Sequence, residues 1–168
     1  MSSNIIEKVK KLSDLAIKYS VLFKPQVKVN NVFKKDYQFP QKVIEKHFGE
    51  CYFLREDRNY YLTDENTMRS IIKKDWMNYL KFLLFYIVDK FDCEDFSQYF
   101  KRFVAMKYKL NQVAVVYSYT SQHAFNLIVF PDESVRIFEP QTSQWWKPNE
   151  IPEHYKKFYV VSRQIIII

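Results

Sequence analysis

A single glycine, Gly49, stands in 168 residues. Phosphate-cradling loops and dinucleotide-binding turns need several glycines, so a P-loop and a Rossmann fingerprint are excluded. Cysteine is nearly as scarce. Cys51 and Cys93 are too few for a disulfide framework beyond one bridge and too widely spaced for a zinc site. The longest apolar run, Phe82 to Val88, falls well short of a membrane span. The polar, lysine-bearing N-terminus reads as no secretory signal. These absences predict an intracellular chain with reduced thiols, cytoplasmic, or in the host cytoplasm if the chain is viral.

What is present is aromatic and basic. Hydrophobic residues make up 48% and aromatics 18%, enough for one domain over residues 1–168 with a substantial core. We divide it into a helical N-terminal portion, 1–62, and a core, 63–168. The net charge is +7, which permits an acidic partner. The lysines and arginines are interleaved with acids, so a solvated surface explains them better than a nucleic-acid face, and nothing indicates a membrane.

Residues 4–22 carry apolar side chains at helical spacing and end before Pro25. Residues 26–38 read as a loop with one short extended piece. Pro40 opens a short helix through Phe48, with Gly49 as its left-handed cap. Short strands are expected near Cys51–Leu54 and Tyr60–Leu62. Thr63 or Asp64 caps a further helix that bends near Asp75 and continues, buried, to about residue 90. Residues 93–107 form another helix, with Phe96, Tyr99, Phe100, Phe103 and Val104 as its apolar stripe. The pattern then turns to strands at 112–119, 123–130 and 134–138, a loop over 140–153, and a final strand over 157–163 extended by 165–168. Helices first and a mostly antiparallel sheet afterwards make an α+β fold.

Three polar residues occupy special places. Asp92 and Asp95 are spaced as a capping box, which puts Cys93 in the first turn of a helix, where a thiolate is favoured. His123 begins a strand and Glu139 ends the next. A cysteine nucleophile needs a base, and the base needs a group that fixes its tautomer. Each residue also has a plain reading: a small buried hydrophobe, a satisfied strand-end histidine, a solvated acid. Strand alternation supplies a test. Pairing Phe130 with Val135 puts Glu139 on the wrong face. An odd-length connection or a bulge is therefore expected; a three-residue turn, for example, with Phe130 opposite Ser134, sets Glu139 opposite Phe125 and diagonal to His123.

The blocks Asp92-Cys93-Glu94-Asp95-Phe96, His123-Ala124-Phe125-Asn126-Leu127-Ile128 and Phe138-Glu139-Pro140-Gln141-Thr142 resemble the transglutaminase-like branch of papain-fold cysteine peptidases. That branch has Cys-x-Asp-Phe, then His-Ala-Trp-Asn, then an acid before proline. The third block is closer to small phage and archaeal relatives, and to the cysteine-protease domain at the C-terminus of a fungal galactose-binding agglutinin. The resemblance spans roughly residues 76–146. It implies a papain-like arrangement with Cys93 as nucleophile, His123 as general base and then acid, and Glu139 as orienter. Phe125 stands where many relatives have tryptophan, and no glutamine closely precedes Cys93. The Cys93 amide would be one oxyanion donor, with Trp76, Gln122 or a nearby tyrosine as the second. Of Trp145 and Trp146, one is assigned to a substrate groove, for which Trp145 is the candidate, and the other to the core. Helix capping accounts for Asp92, Glu94 and Asp95, so no metal and no cofactor is expected.

The resulting expectation is a cysteine hydrolase or acyltransferase acting on amide bonds of a protein or peptide substrate: a thiol protease, or a glutamine deamidase or transglutaminase. The alternative is a catalytically inactive papain-like scaffold, viral or mobile-element encoded, that binds a protein or nucleic acid. His47 and His154 read as surface residues and Cys51 as buried and inert.

Overall fold

The structure, a computed structural model, describes residues 24–80 and 92–168. The expected helix over 4–22 and the whole of the apolar stretch after Leu80, to residue 90, lie outside the described residues. In chain order the elements are β1 (Phe33–Asp36), α1 (Gln38–Phe48), β2 (Tyr52–Leu54), β3 (Asn59–Leu62), α2 (Glu65–Ile71), a π-helical segment (Ile72–Trp76), α3 (Met77–Leu80), α4 (Cys93–Tyr108), β4 (Val113–Ser118), β5 (His123–Val129), β6 (Val135–Glu139), β7 (Gln144–Trp146), α5 (Glu153–Lys156) and β8 (Ile165–Ile167). A six-stranded sheet has the order β2-β8-β4-β5-β6-β7, and β1 and β3 form a separate antiparallel pair. The fold is α+β. Within the large sheet β2 and β8 run parallel, and the other neighbours are antiparallel.

The central strands are buried on both faces, and strand alternation divides their side chains between two apolar layers. Phe125, Leu127, Val135 and Ile137 face a layer with Val43, Ile44, Tyr60 and Leu62. Ile128, Phe130 and Phe138 face the other, with Met68, Trp76, Phe100 and Val104. Each large side chain enclosed in this way contributes roughly 1.5–3 kcal/mol. Helix α4 therefore docks on the second layer through Phe100 and Val104, while Phe96 is buried and Tyr99, expected in the stripe, is 39% exposed. Asn126 fixes the docking. It is fully buried, and its Nδ2 donates to Ser97 O of α4 at 3.0 Å and to Ala114 O of β4 at 3.1 Å.

The β5–β6 connection is a three-residue turn, an odd-length connection of the kind that alternation calls for. Phe130 N donates to Ser134 O at 2.9 Å, and Glu133 takes the left-handed conformation with φ 63°. Val129 pairs with Val135 and Asn126 with Phe138. Continued by one pair, this register sets Glu139 opposite Phe125. Asp132 stiffens the turn by accepting from Ser134 N at 3.1 Å and Ser134 Oγ at 2.7 Å.

Several expectations are corrected. Helix α1 begins at Gln38, because the Asp36 carboxylate accepts from Gln38 N and Phe39 N at 3.0 and 3.1 Å. Gly49 has positive φ, 78°, but a ψ of −157° outside the left-handed helical region. Asp64, not Thr63, caps α2. The bend near Asp75 is the π-helical segment. There buried Asp75 meets the Tyr108 hydroxyl and accepts from Gln26 N at 3.0 Å. The loop at 140–153 contains β7, paired to β6. Residues 157–163 are turns rather than a strand: Tyr159 and Val161 are buried in the core, and Arg163 sits at φ 59°. The described part of 1–62 contains three strands beside its helix.

Candidate functional site

The site is built at the end of the sheet, where α4 begins. Asp95 accepts from Asp92 N at 3.3 Å and completes a capping box with the Asp92 side chain, so the first turn of α4 is anchored on both sides of Cys93. Ser97 Oγ donates to Cys93 O at 2.8 Å and tightens the same turn. The Cys93 sulfur is half-buried, accepts from Ala124 N at 3.4 Å and stands 3.6 Å from Glu94 Oε2.

His123 and Glu139 project toward the opposite layer of the sheet from the one α4 packs on. They meet Cys93 only because His123 is the first residue of β5 and Cys93 the first of α4. His123 Nε2 lies 2.9 Å from Glu139 Oε2. That leaves Nδ1 as the nitrogen for the Cys93 sulfur, with which the His123 side chain is hydrogen-bonded. Burial alone would hold the imidazole neutral. The hydrogen bond to Cys93, the hydrogen bond to Glu139 and the charges of both outweigh it, and His123 is pushed up to about 9. The arrangement favours an imidazolium between a sulfur and a carboxylate.

Tyr159 completes this environment. Its hydroxyl donates to Glu139 Oε2 at 3.1 Å, and its ring stands edge-on to His123, with centroids 5.5 Å apart. Burial, reinforced by the Glu139 charge, raises the Tyr159 phenol, which stays protonated and donating. Glu139 is 5% exposed and also accepts from Gln141 N at 3.2 Å. Nothing in the sequence marked Tyr159. It comes from a segment that looks like a strand, and only tertiary packing brings it to the acid.

Beside the sulfur lies a cavity of about 290 Å³ lined by Cys93, Glu94, Tyr117, Ser118, Tyr119, Gln122, His123 and Ala124. Gln122 is thus at the cavity, in the β4–β5 turn with φ 50°. The other two oxyanion or groove candidates are elsewhere. Trp76 is fully buried, and its Nε1 donates to Pro140 O at 2.9 Å, so it has no proton left to offer. Trp145 packs against Phe130 and Arg69 and lines a separate cavity of about 480 Å³ with Ile72, Met77 and Ser143. Trp146 packs against Tyr155 and Tyr159. Cys51 is buried, and burial pushes its thiol up. His47 is exposed and bonds Glu133 O at 2.9 Å, and His154 is exposed too. Asp92, Cys93 and Glu94 place three ligand-type atoms within 4.8 Å of one another, an arrangement the capping box already accounts for in part.

No family model and no curated protein matches the chain. Solved structures do. One, named as the Polyporus squamosus lectin bound to the human-type influenza-binding epitope Neu5Aca2-6Galb1-4GlcNAc, superposes with a TM-score of 0.57 at 18% identity over 79% of this chain and 49% of that one. Another, a complex of PSL1a with E64, gives 0.56 at 18% identity over 80% and 51%. The likeness is one of fold, and the chain spans about half the length of these neighbours.

These findings correct the family reading. The neighbours are chains of a lectin, neither is named as a peptidase or transglutaminase, and no family model supports either. The assignment to transglutaminase-like papain-fold peptidases is withdrawn. With it go the hydrolase, thiol-protease and viral descriptions, amide-bond chemistry, and a protein or peptide substrate. The scaffold alternative, binding protein or nucleic acid, is likewise not what a glycan-bound neighbour suggests. The physical reason is plain: the three blocks encode the surroundings of a sulfur, an imidazole and a carboxylate, and carry no information about the ligand.

Proposed function

We propose that the chain carries an activated-thiol site that bonds electrophilic ligands covalently, with Cys93 as nucleophile, His123 as its proton partner and Glu139 as the group that orients and charges the imidazole. The observation that carries this reading is the His123 Nε2–Glu139 Oε2 contact at 2.9 Å on one side of the ring, with the Cys93 sulfur on the other, at an open cavity. The thiolate is the reactive form, and an imidazolium held beside it favours that form. In the covalent step a sulfur–carbon bond forms, the leaving group departs with its electron pair, and the proton remains on His123. Amide hydrolysis is no part of this reading.

The finer architecture belongs to the same proposal: a papain-like placement of a thiol-bearing helix against a sheet that supplies histidine and acid, within one domain of residues 1–168. Its support is that both apolar layers draw residues from before and after residue 62. A reactive thiol calls for reducing surroundings, so cytoplasmic residence is proposed as well.

The test is adduct mapping. Brief exposure to iodoacetamide at neutral pH, and separately to E64, is followed by peptide mass spectrometry. Modification confined to Cys93, faster than that of a small free thiol, is expected with iodoacetamide. Equal labelling of Cys51 and Cys93, or a rate no greater than the free thiol's, would remove the proposal. E64 labelling of Cys93 would extend the likeness to the PSL1a complex.

A second reading is glycan binding in the same cavity. Tyr117, Tyr119, Ser118 and Gln122 offer rings, hydroxyls and an amide to a sugar, and one fold neighbour is bound to a sialylated epitope. Glu94 faces the cavity and opposes a sialic carboxylate, which ranks this reading second. Calorimetric titration with that trisaccharide and with its asialo form decides it: heat from neither ends it.

A further inference from the structure

Charge at this cavity runs against the charge of the chain. The protein carries a net +7, yet among the described residues the cavity lining contains no lysine or arginine, and Glu94 is its acidic member. Glu94 is solvent-facing and adjoins the sulfur through its Oε2 at 3.6 Å. Among the described residues, the remaining charges cancel or are engaged. On the activated-thiol reading a thiolate on Cys93 and an imidazolium on His123 sum to zero, and Glu139 is buried against His123 and Tyr159. The partial positive charge at the start of α4 is met by the Asp92–Asp95 capping box.

The two tyrosines extend the same preference. Tyr117 is held by Gln98, whose Nε2 donates to the phenol oxygen at 2.9 Å. Tyr119 is 70% exposed, but its backbone is fixed, since Tyr119 N donates to Gln164 Oε1 at 2.9 Å. Two tethered aromatic residues beside a carboxylate make surroundings that attract a cation both by charge and by ring quadrupole.

We infer that this cavity selects electrophiles that carry a positive charge next to the reacting carbon, with Glu94 as their counter-ion and Tyr117 and Tyr119 as the aromatic walls. The inference rests on the activated-thiol reading and adds to it the class of ligand. Glu94 also shares a hydrogen bond with Asp92, which raises its carboxyl above the usual range. Even one proton shared between the two acids leaves the pair with a net negative charge.

The experiment compares alkylation of Cys93 by (2-bromoethyl)trimethylammonium and by bromoacetate. In each, the thiolate displaces bromide, which leaves with the electron pair of the broken carbon–bromine bond. Each rate is divided by the rate of the same reagent with 2-mercaptoethanol, which removes intrinsic reactivity. The normalised cation-to-anion ratio is expected to be about tenfold in the wild type, the scale of one charge pair at about 5 Å in partly screened surroundings. It should fall toward one in Glu94→Gln, and toward one in the wild type at high salt. A wild-type ratio at or below one, or a ratio that Glu94→Gln leaves unmoved, overturns the inference. Failure of the parent reading looks different: the neutral reagent iodoacetamide would then react equally with the wild type and with His123→Ala, whatever the charge ratio.

Discussion

Replacing Glu139 with glutamine keeps the shape of the acid and removes its charge. In the wild type the imidazole is raised from 6.5 to about 9, which corresponds to about 3 kcal/mol of preference for the charged ring. The hydrogen bond to Cys93 is the larger support, and the bond and charge of Glu139 come next. A charge-assisted hydrogen bond exceeds a neutral one by about 1–2 kcal/mol, so the His123 midpoint in Glu139→Gln should fall by about one pH unit. Because the folded value lies above the unfolded one, protonated His123 stabilises the fold fully below pH 6.5 and loses that contribution as the pH rises through about 9. The stability advantage of the wild type over Glu139→Gln should therefore be greatest near pH 6 and shrink toward pH 10. An NMR titration of the imidazole C2 protons, with urea unfolding at the two pH values, reads both effects. An unmoved midpoint, or a stability difference that is the same at pH 6 and pH 10, would refute the role given to Glu139.

Tyr159→Phe keeps the ring contacts and deletes the donor to Glu139. It should cost about 1 kcal/mol in urea unfolding and raise the His123 midpoint by a few tenths, since the carboxylate charge is then less shared; a purely structural tyrosine would leave the midpoint where it is. Trp76→Phe removes the bond to Pro140 O in a fully buried position. It should destabilise by roughly 2 kcal/mol while leaving iodoacetamide reactivity intact, so a loss of reactivity in a folded variant would restore Trp76 to the site. Asn126→Ala severs the bridge from β5 to α4 and β4 and should cost about 2–3 kcal/mol by chemical denaturation.

The geometry of the site was legible because it depends on short-range rules. A capping pair places Cys93 at a helix start, and strand periodicity with a Pro-Asp-Glu turn forces Glu139 onto the face of His123. What escaped depends on contacts far apart in sequence. The stretch Tyr159-Val160-Val161 has strand composition, yet it is irregular between two turns, with Tyr159 and Val161 buried in the core, and β8 rather than this stretch lies between β2 and β4. Trp76 is engaged by Pro140 O, a partner 64 residues away that no local pattern announces. The ligand was the least legible part. It is set by cavity walls that come from α4, β4, the β4–β5 turn and the start of β5, whose patterns encode helix and strand but no ligand, and motif likeness in α4, β5 and β6 pointed to a family that the fold neighbours do not support.

The most direct test of the Cys93–His123–Glu139 site is the second-order rate of Cys93 alkylation by iodoacetamide at pH 7 in the wild type and in His123→Ala, with each chain shown to be folded by its urea transition. Loss of the imidazolium beside the sulfur should slow the reaction roughly tenfold or more, since a charge-assisted contact of about 1.5–3 kcal/mol is removed. Equal rates in two folded chains would contradict it, and Cys93 would then be an ordinary half-buried thiol.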